Sequence, residues 1–242
     1  MSTNQTKRQD TPNHPERWWE YILAFMGFPV RAGKSRIAFP WVTYGIVAAC
    51  CIISILAWLA PDFDQIAKNF GMTRTTIKNS GGLSLISAFF LHANWKHLLS
   101  NMYFLALFGG KTEQYLGRRN FLLLLASATL VGHVAHLMFD PRSAIPSIGA
   151  SGGISGVIVF YCLKFPKDLF YQYVGRRFVK VSAFVYMAAW ISIQFVGVGK
   201  QLAGATNVSS FAHLGGALIG LLAAVAWQVS AGTQEKIEKA PG

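Results

Sequence analysis

Six apolar stretches constrain the fold of this chain more than any other feature of its sequence. They cover about residues 41–60, 95–110, 120–139, 148–164, 181–198 and 207–228. A helix needs roughly 20 apolar residues to cross a bilayer core. Only 13% of the 242 residues are charged, whereas a soluble domain carries about 25%. The sequence therefore predicts an all-α, polytopic membrane protein with six transmembrane helices.

The segments around this core divide the chain into three parts. Residues 1–40 form a predicted N-terminal tail, 41–228 the membrane domain and 229–242 a short C-terminal tail. The tail contains an aromatic stretch at about 18–28, which is too short to span a bilayer and lacks a cleavage-site pattern. We expect it to form a helix on the membrane surface. The apolar stretch 83–91 is predicted to end a long first loop that dips into the membrane.

The distribution of lysine and arginine predicts the orientation. Segments 1–40, 111–119, 164–180 and 229–242 hold 16 of the 22 basic residues. These segments lie on one side of the predicted bundle, and basic residues concentrate on the cytoplasmic side of a membrane. Both termini are therefore predicted to be cytoplasmic. Because the basic residues flank apolar stretches and form no continuous stripe, the net charge of +12 does not indicate nucleic-acid binding.

Four polar side chains then fall at a similar shallow depth below the outer surface. His97 and Asn101 lie near the start of the second span, Ser151 near the start of the fourth and His213 about two turns into the sixth. Polar groups inside a membrane are costly and commonly functional. A serine beside a histidine can act as a nucleophile with its base. Glycines and alanines on spans 4 and 6 would let the two helices approach closely.

Two alternatives concern the serine itself. Serine and glycine serve in many membrane helices only to permit close packing. The stretch 153–156 also has the pattern Gly-x-Ser-Gly, which would make Ser155 the nucleophile. Ser155 is one helical turn deeper, about 6 Å along the axis, and further from water. The position of Ser151 near the helix start favours it over Ser155.

Three motifs resemble those of the rhomboid family of intramembrane serine proteases. Residues 149–152 are similar to its Gly-x-Ser-Gly nucleophile motif, and residues 212–216 to its Ala-His-x-Gly-Gly base motif. Residues 92–102, which read HANWKHLLSNM, resemble the signature of its second span. The resemblance extends over about 40–228, with the three motifs in the right order on the right spans.

This resemblance implies a six-helix rhomboid-like bundle and a serine–histidine dyad without a third acid. Ser151 would be the nucleophile, and His213 would be the general base and then the acid for the leaving amine. The oxyanion would be held by the Ser151 backbone N–H and by His97 and Asn101. The residues with an implied structural role near the site are His92, Gly149, Gly152, Gly215 and Gly216. Substrates would be transmembrane helices cut near their outer end, and no cofactor or metal is implied.

The chain departs from well-known members of that family at Ser155, where a tyrosine often stacks on the base. The first loop also lacks the Trp-Arg pair seen in many members, because Arg74 has no tryptophan beside it. The resemblance assigns a structural role to Glu113, which otherwise reads as a solvated charge just after span 2.

Three other classes of protein fit parts of the sequence. Residues 149–153 match the elbow of soluble α/β-hydrolases, with Asp168 and His213 in that fold's order. However, no strand precedes the motif. Five histidines toward the outer side, including His133 and His136, fit a transporter or a metal-handling protein. No carboxylate or thiol lies among them, and His133 and His136 are interpreted as interhelical hydrogen bonders. Non-proteolytic rhomboid relatives that bind membrane clients form the third class. They usually lack the serine or the histidine, whereas this chain has both.

The expected partners are transmembrane-helix substrates and the lipid bilayer, with no nucleic acid. The absence of a targeting pattern and the bare six-span core predict a bacterial inner-membrane location, with the active site open to the non-cytoplasmic side.

Overall fold

A computed structural model describes residues 14–32, 38–140 and 145–238, the last nine of them as backbone only. The chain is mostly helical. The helices are α1 (Trp18–Phe25), α2 (Trp41–Leu59), α3 (Phe63–Phe70), α4 (Arg74–Asn79), α5 (Ser84–Phe90), α6 (Trp95–Phe104), α7 (Gly110–Leu116), α8 (Arg118–Phe139), α9 (Ser151–Lys164), α10 (Ala183–Leu202) and α11 (Ser210–Glu238). A π-helical turn, Leu105–Gly109, joins α6 to α7. The strands are β1 (Val30–Arg31), β2 (Leu169–Val174) and β3 (Arg177–Ser182).

Each of the six predicted spans coincides with a helix or a helical run. Four helices in the described part of the chain are long and apolar enough to cross a membrane: α2, α8, α10 and residues 210–229 of α11. The helix α9 is apolar but shorter, and the run from α6 through the π-turn to α7 is interrupted in its geometry. The chain is therefore a multi-pass membrane protein, and the count of six spans stays a prediction.

Helix α9 lies at the centre of the molecule. All of its residues from Gly152 to Cys162 are buried, and it packs against α8 and α11. A helix that is apolar on every face is suited to this position because it has no polar face to turn toward water. The buried core around it includes Phe108 of the π-turn, Phe121 of α8 and Met187 of α10.

The start of α2 is capped by a distant carboxylate. Pro40 precedes the helix and offers no side-chain cap. Glu113 of α7 is buried, and it accepts hydrogen bonds from Val42 N at 3.0 Å, Thr43 N at 2.8 Å and Thr43 Oγ1 at 2.8 Å. The two backbone N–H groups are donors that a helix N-terminus leaves unsatisfied, and the negative charge suits the helix dipole. The structural role predicted for Glu113 is confirmed.

A three-stranded antiparallel sheet, ordered β1-β2-β3, lies beside the helices. The turn between β2 and β3 is Gly175-Arg176, and both residues have positive φ, 55° and 68°. Such a two-residue turn matches the twist of a hairpin. Helix α1 packs on the sheet through Tyr21, whose ring meets Phe178 edge-on at 5.0 Å. The all-α prediction was wrong in this region, where the segment 164–180 was assigned to a basic loop between two spans and the structure has two strands.

The first loop contains the three short helices α3, α4 and α5. Met72 pairs with Ser147, two residues before the predicted nucleophile motif. Arg74 donates from Nη2 to the carbonyl of Leu137 at 2.8 Å. Arg74 therefore anchors the loop to the end of α8 without a tryptophan partner.

Candidate active site

The predicted nucleophile lies at the first position of α9. Ala150 is the N-cap and Ser151 is the first helical residue, so the Ser151 N–H is one of the donors that the helix leaves free. Gly149 just before it has φ +121° and donates from its N–H to Ala88 O at 2.8 Å. An L side chain rarely adopts that φ, so the approach to Ser151 requires glycine at position 149.

His97 and Asn101 of α6 face this same turn. A Cβ added to Gly149 would lie 2.7 Å from His97 Cε1 and 3.9 Å from Asn101 Nδ2. The i,i+4 spacing places both side chains on one face of α6. Asn94 caps that helix by accepting from His97 N at 3.0 Å. The side chains of His97 and Asn101, which can both donate hydrogen bonds, thus lie beside Gly149, two residues before Ser151.

His92 supports His97 from behind. Their rings meet edge-on with centroids 5.0 Å apart. His92 is fully buried, its Nδ1 lies 3.1 Å from Ser54 Oγ, and its carbonyl accepts from Trp58 Nε1 at 2.8 Å. These contacts with α2 hold His92 in one orientation. The role of His92 as a structural residue near the site stays a prediction.

Glycines bring α9 and α11 into backbone contact. A Cβ on Gly216 would collide with Gly152 O, and a Cβ on Gly220 would collide with Gly156 O. Gly215 faces α8, because its added Cβ would lie 2.9 Å from Val131 O. Small residues at such positions allow the close approach of membrane helices.

Helix α8 aligns the two halves of the predicted dyad. A Cβ on Gly132 would lie 2.7 Å from Ala212 O and 3.2 Å from the Cα of Gly152. Ala212 immediately precedes His213, and Gly152 immediately follows Ser151. The same glycine of α8 therefore contacts both chain segments, so Ser151 and His213 lie at the same level of the bundle.

The imidazole of His213 is held by α10, which the sequence analysis missed. His213 Nδ1 lies 2.7 Å from Gln194 Oε1. Trp190, one turn earlier on α10, presents its ring to His213 with centroids 6.2 Å apart. Gln194 is the only amide side chain in the predicted span 181–198, and this was the available signal, since such a group requires a polar partner.

Ser155 has a different environment. Its hydroxyl donates to Ser151 O at 2.6 Å and its side chain is buried. A serine that returns its hydroxyl to the carbonyl four residues earlier is a common arrangement in helices. The hydroxyl of Ser155 is thus bonded within its own helix, and the contacts that orient His213 come from Gln194 and Trp190.

His136 of α8 makes a contact between helices. His136 Nδ1 is 2.9 Å from Ser209 Oγ and 3.4 Å from Asp140 Oδ2, so it links α8 to the segment before α11. This agrees with the interpretation of His136 as an interhelical hydrogen bonder. Within residues 14–32, 38–140 and 145–238 no group of three or more histidine, cysteine, aspartate or glutamate side chains could hold a metal ion.

Comparison with known proteins identifies the family. A family model described as the Rhomboid domain matches residues 80–228, more than half of the chain. The chain belongs to the rhomboid family. The resemblance carried by the three motifs is thereby confirmed, and this rhomboid has relatives in bacteria, mitochondria and chloroplasts.

Three relatives illustrate the range. The rhomboid protein YdcA of Bacillus subtilis is 26% identical over 188 residues, which cover 74% of this chain and 86% of that protein. Rhomboid-like protein 11, chloroplastic, of Arabidopsis thaliana is 31% identical over 151 residues, 60% of this chain and 51% of that protein. Rhomboid protein 1, mitochondrial, of Saccharomyces cerevisiae is 30% identical over 168 residues, 65% and 44% respectively. This rhomboid thus spans most of the bacterial relative but about half of the two organellar ones.

Proposed function

We propose that this rhomboid is an intramembrane serine endopeptidase that uses Ser151 and His213 as a catalytic dyad. The observation that supports the proposal is that Gly132 of α8 contacts both Gly152 and Ala212, the chain neighbours of the serine and the histidine. The hydrogen bond from His213 Nδ1–H to Gln194 Oε1 leaves Nε2 with a lone pair, as a general base requires.

The reaction follows from these positions. Ser151 Oγ attacks the carbonyl carbon of the scissile bond while His213 Nε2 takes the hydroxyl proton. The carbonyl oxygen becomes an oxyanion, which accepts hydrogen bonds from the Ser151 N–H and from the His97 and Asn101 side chains. The tetrahedral intermediate collapses as His213 gives its proton to the departing amine, leaving an acyl ester on Ser151. His213 then deprotonates water, which releases the carboxylate product and restores the serine.

The substrate and orientation belong to the same proposal. Six spans with both termini in the cytoplasm place the start of α9 near the non-cytoplasmic surface. Substrates would be transmembrane helices cut near their outer end after a small residue, where weak helix propensity lets a peptide bond unwind. A bacterial inner membrane would be the location, and the bilayer itself the second partner.

Cleavage of a single-span model substrate by the purified full chain tests this function. Wild type and Ser155→Ala should cleave, whereas Ser151→Ala and His213→Ala should not, since loss of a serine nucleophile lowers kcat by about 10⁶-fold in a soluble serine protease. Each variant is checked for folding by thermal unfolding. Activity in Ser151→Ala with loss in Ser155→Ala would move the nucleophile one turn deeper. If the wild type cleaves none of several substrates that have a small residue at the cut, the result would favour a non-proteolytic, client-binding role.

A further inference from the structure

Gln194 is the only hydrogen-bond partner that the described part of the chain offers to the His213 ring. Gln194 is a buried residue of α10, and its Oε1 lies 2.7 Å from His213 Nδ1. The amide nitrogen Nε2 of Gln194 lies 3.5 Å from the carbonyl oxygen of Trp190 on the same helix. A carbonyl can only accept, so the amide nitrogen faces Trp190 and the oxygen faces the imidazole. An amide oxygen also only accepts, which places the proton of the neutral ring on Nδ1.

A second glutamine, two turns along α10, anchors the face of the helix that carries Gln194. Gln201 is fully buried, donates from Nε2 to Asp140 Oδ2, and accepts from Phe211 N at 3.2 Å. Gln194 and Gln201 are seven residues apart and therefore lie on one face of the helix. This face connects α10 to α8 and to the start of α11, so the amide of Gln194 reaches the ring from a fixed side.

We propose that Gln194 is a positioning residue for the dyad and takes the orienting role that a third acid performs in soluble serine proteases. It holds His213 in the Nδ1–H form with Nε2 directed at Ser151, and it steadies the imidazolium when Nε2 takes the serine proton. Because Gln194 belongs to α10, separation of α10 from α11 would release the base. The inference rests on the proposed protease function but adds a residue from another helix to it.

Two substitutions of similar size separate this role from simple packing. Gln194→Leu removes the acceptor and should lower kcat by about 10- to 100-fold with KM unchanged, as expected for losing a hydrogen bond to a charged group. Gln194→Glu keeps an acceptor and adds a charge that favours the imidazolium. It should retain activity, and the acid limb of its kcat/KM profile should move to higher pH. His97 is present in wild type and in both variants, so any effect that it has on the titration of His213 is the same in all three proteins.

The matched control is Ser192→Ala, an exposed position on the same helix whose hydroxyl donates only to Ala188 O. It should leave kcat, KM and the pH profile as in wild type. If Gln194→Leu keeps the wild-type kcat and Gln194→Glu leaves the pH profile in place, the positioning role is overturned.

Two further measurements separate failure of this inference from failure of the proposed function. Labelling of Ser151 by a fluorophosphonate reports the dyad without a peptide substrate, so a wild type that neither labels nor cleaves contradicts the protease function. The ¹H–¹⁵N signal of the hydrogen-bonded His213 Nδ1–H, assigned by its absence in His213→Ala, needs no activity. It should vanish in Gln194→Leu, and its persistence there would overturn the role of Gln194 whatever the enzyme does.

Discussion

Gly216 of α11 packs directly on the carbonyl of Gly152 in α9, with no space for a side chain between the two helices. The contact lies one residue after Ser151 and three after His213, so it controls the separation of the predicted nucleophile and base. Gly216→Ala should force α11 away from α9. Overpacking of this kind typically destabilises by about 1–3 kcal/mol. We expect lower thermal stability in detergent and a larger fractional loss of cleavage.

The control for that substitution is Gly45→Ala, because a Cβ at Gly45 of α2 meets nothing within 4 Å. Alanine favours a helix by up to about 1 kcal/mol over glycine, so this variant should unfold at an equal or higher temperature. Equal stability and activity of Gly216→Ala and wild type would show that the two helices do not need this contact.

Asn101 offers a test of oxyanion stabilisation. Its amide Nδ2 lies beside Gly149, and it also donates to His97 O at 3.0 Å. Loss of one oxyanion donor costs about 10²–10³ in kcat, so Asn101→Ala should lower kcat by that amount with little change in KM. The neighbouring Ser100→Ala removes only a bond from a half-buried hydroxyl to His97 O and should stay near wild type. A fall confined to KM in Asn101→Ala would assign Asn101 to substrate binding.

The positions of the helices could be predicted because hydropathy and length depend on local sequence alone. The predicted spans at 41–60, 120–139 and 181–198 coincide with α2, α8 and α10 within a few residues. The hairpin was missed although its signal was present. Leu169–Val174 and Arg177–Ser182 contain aromatic and β-branched residues around a Gly-Arg turn, but only their basic residues were used, as markers of orientation.

The candidate site was predictable in its polar residues but not in their partners. Ser151, His213, His97 and Asn101 follow from motif spacing and from the direction of each span. The bond from His213 to Gln194 depends on how α10 is rotated and tilted against α11. Packing with neighbouring helices sets that rotation, and the sequence of α10 shows only that a buried amide needs some partner. Likewise, the sequence around Glu113 does not indicate that its carboxylate accepts hydrogen bonds from the start of α2, some 70 residues earlier.

Glu113 should be required for stability rather than for chemistry. Glu113→Ala would leave two backbone N–H groups and one hydroxyl of α2 without their acceptor. A buried donor left unsatisfied costs about 1–3 kcal/mol, so the variant should unfold at a clearly lower temperature. Cleavage per folded molecule should be unchanged at low temperature. Asp64→Asn, at an exposed carboxylate in the first turn of α3, is the control. A Glu113→Ala protein as stable as that control would contradict the capping role.

Helix α1 should lie on the cytoplasmic leaflet with one apolar face in the lipid. Trp18 is 75% exposed and Ile22 49% exposed in the protein alone, while Ala24, on the other side of the helix, is fully buried. An exposed apolar face opposite a packed one is suited to the membrane interface. A polarity-sensitive fluorophore on Ile22→Cys, in a Cys51→Ala background, should emit at shorter wavelength in liposomes and be quenched by lipid-borne quenchers. The same label on Arg177→Cys, at the exposed hairpin turn, should remain in water. Equal quenching at the two positions would place α1 away from the bilayer.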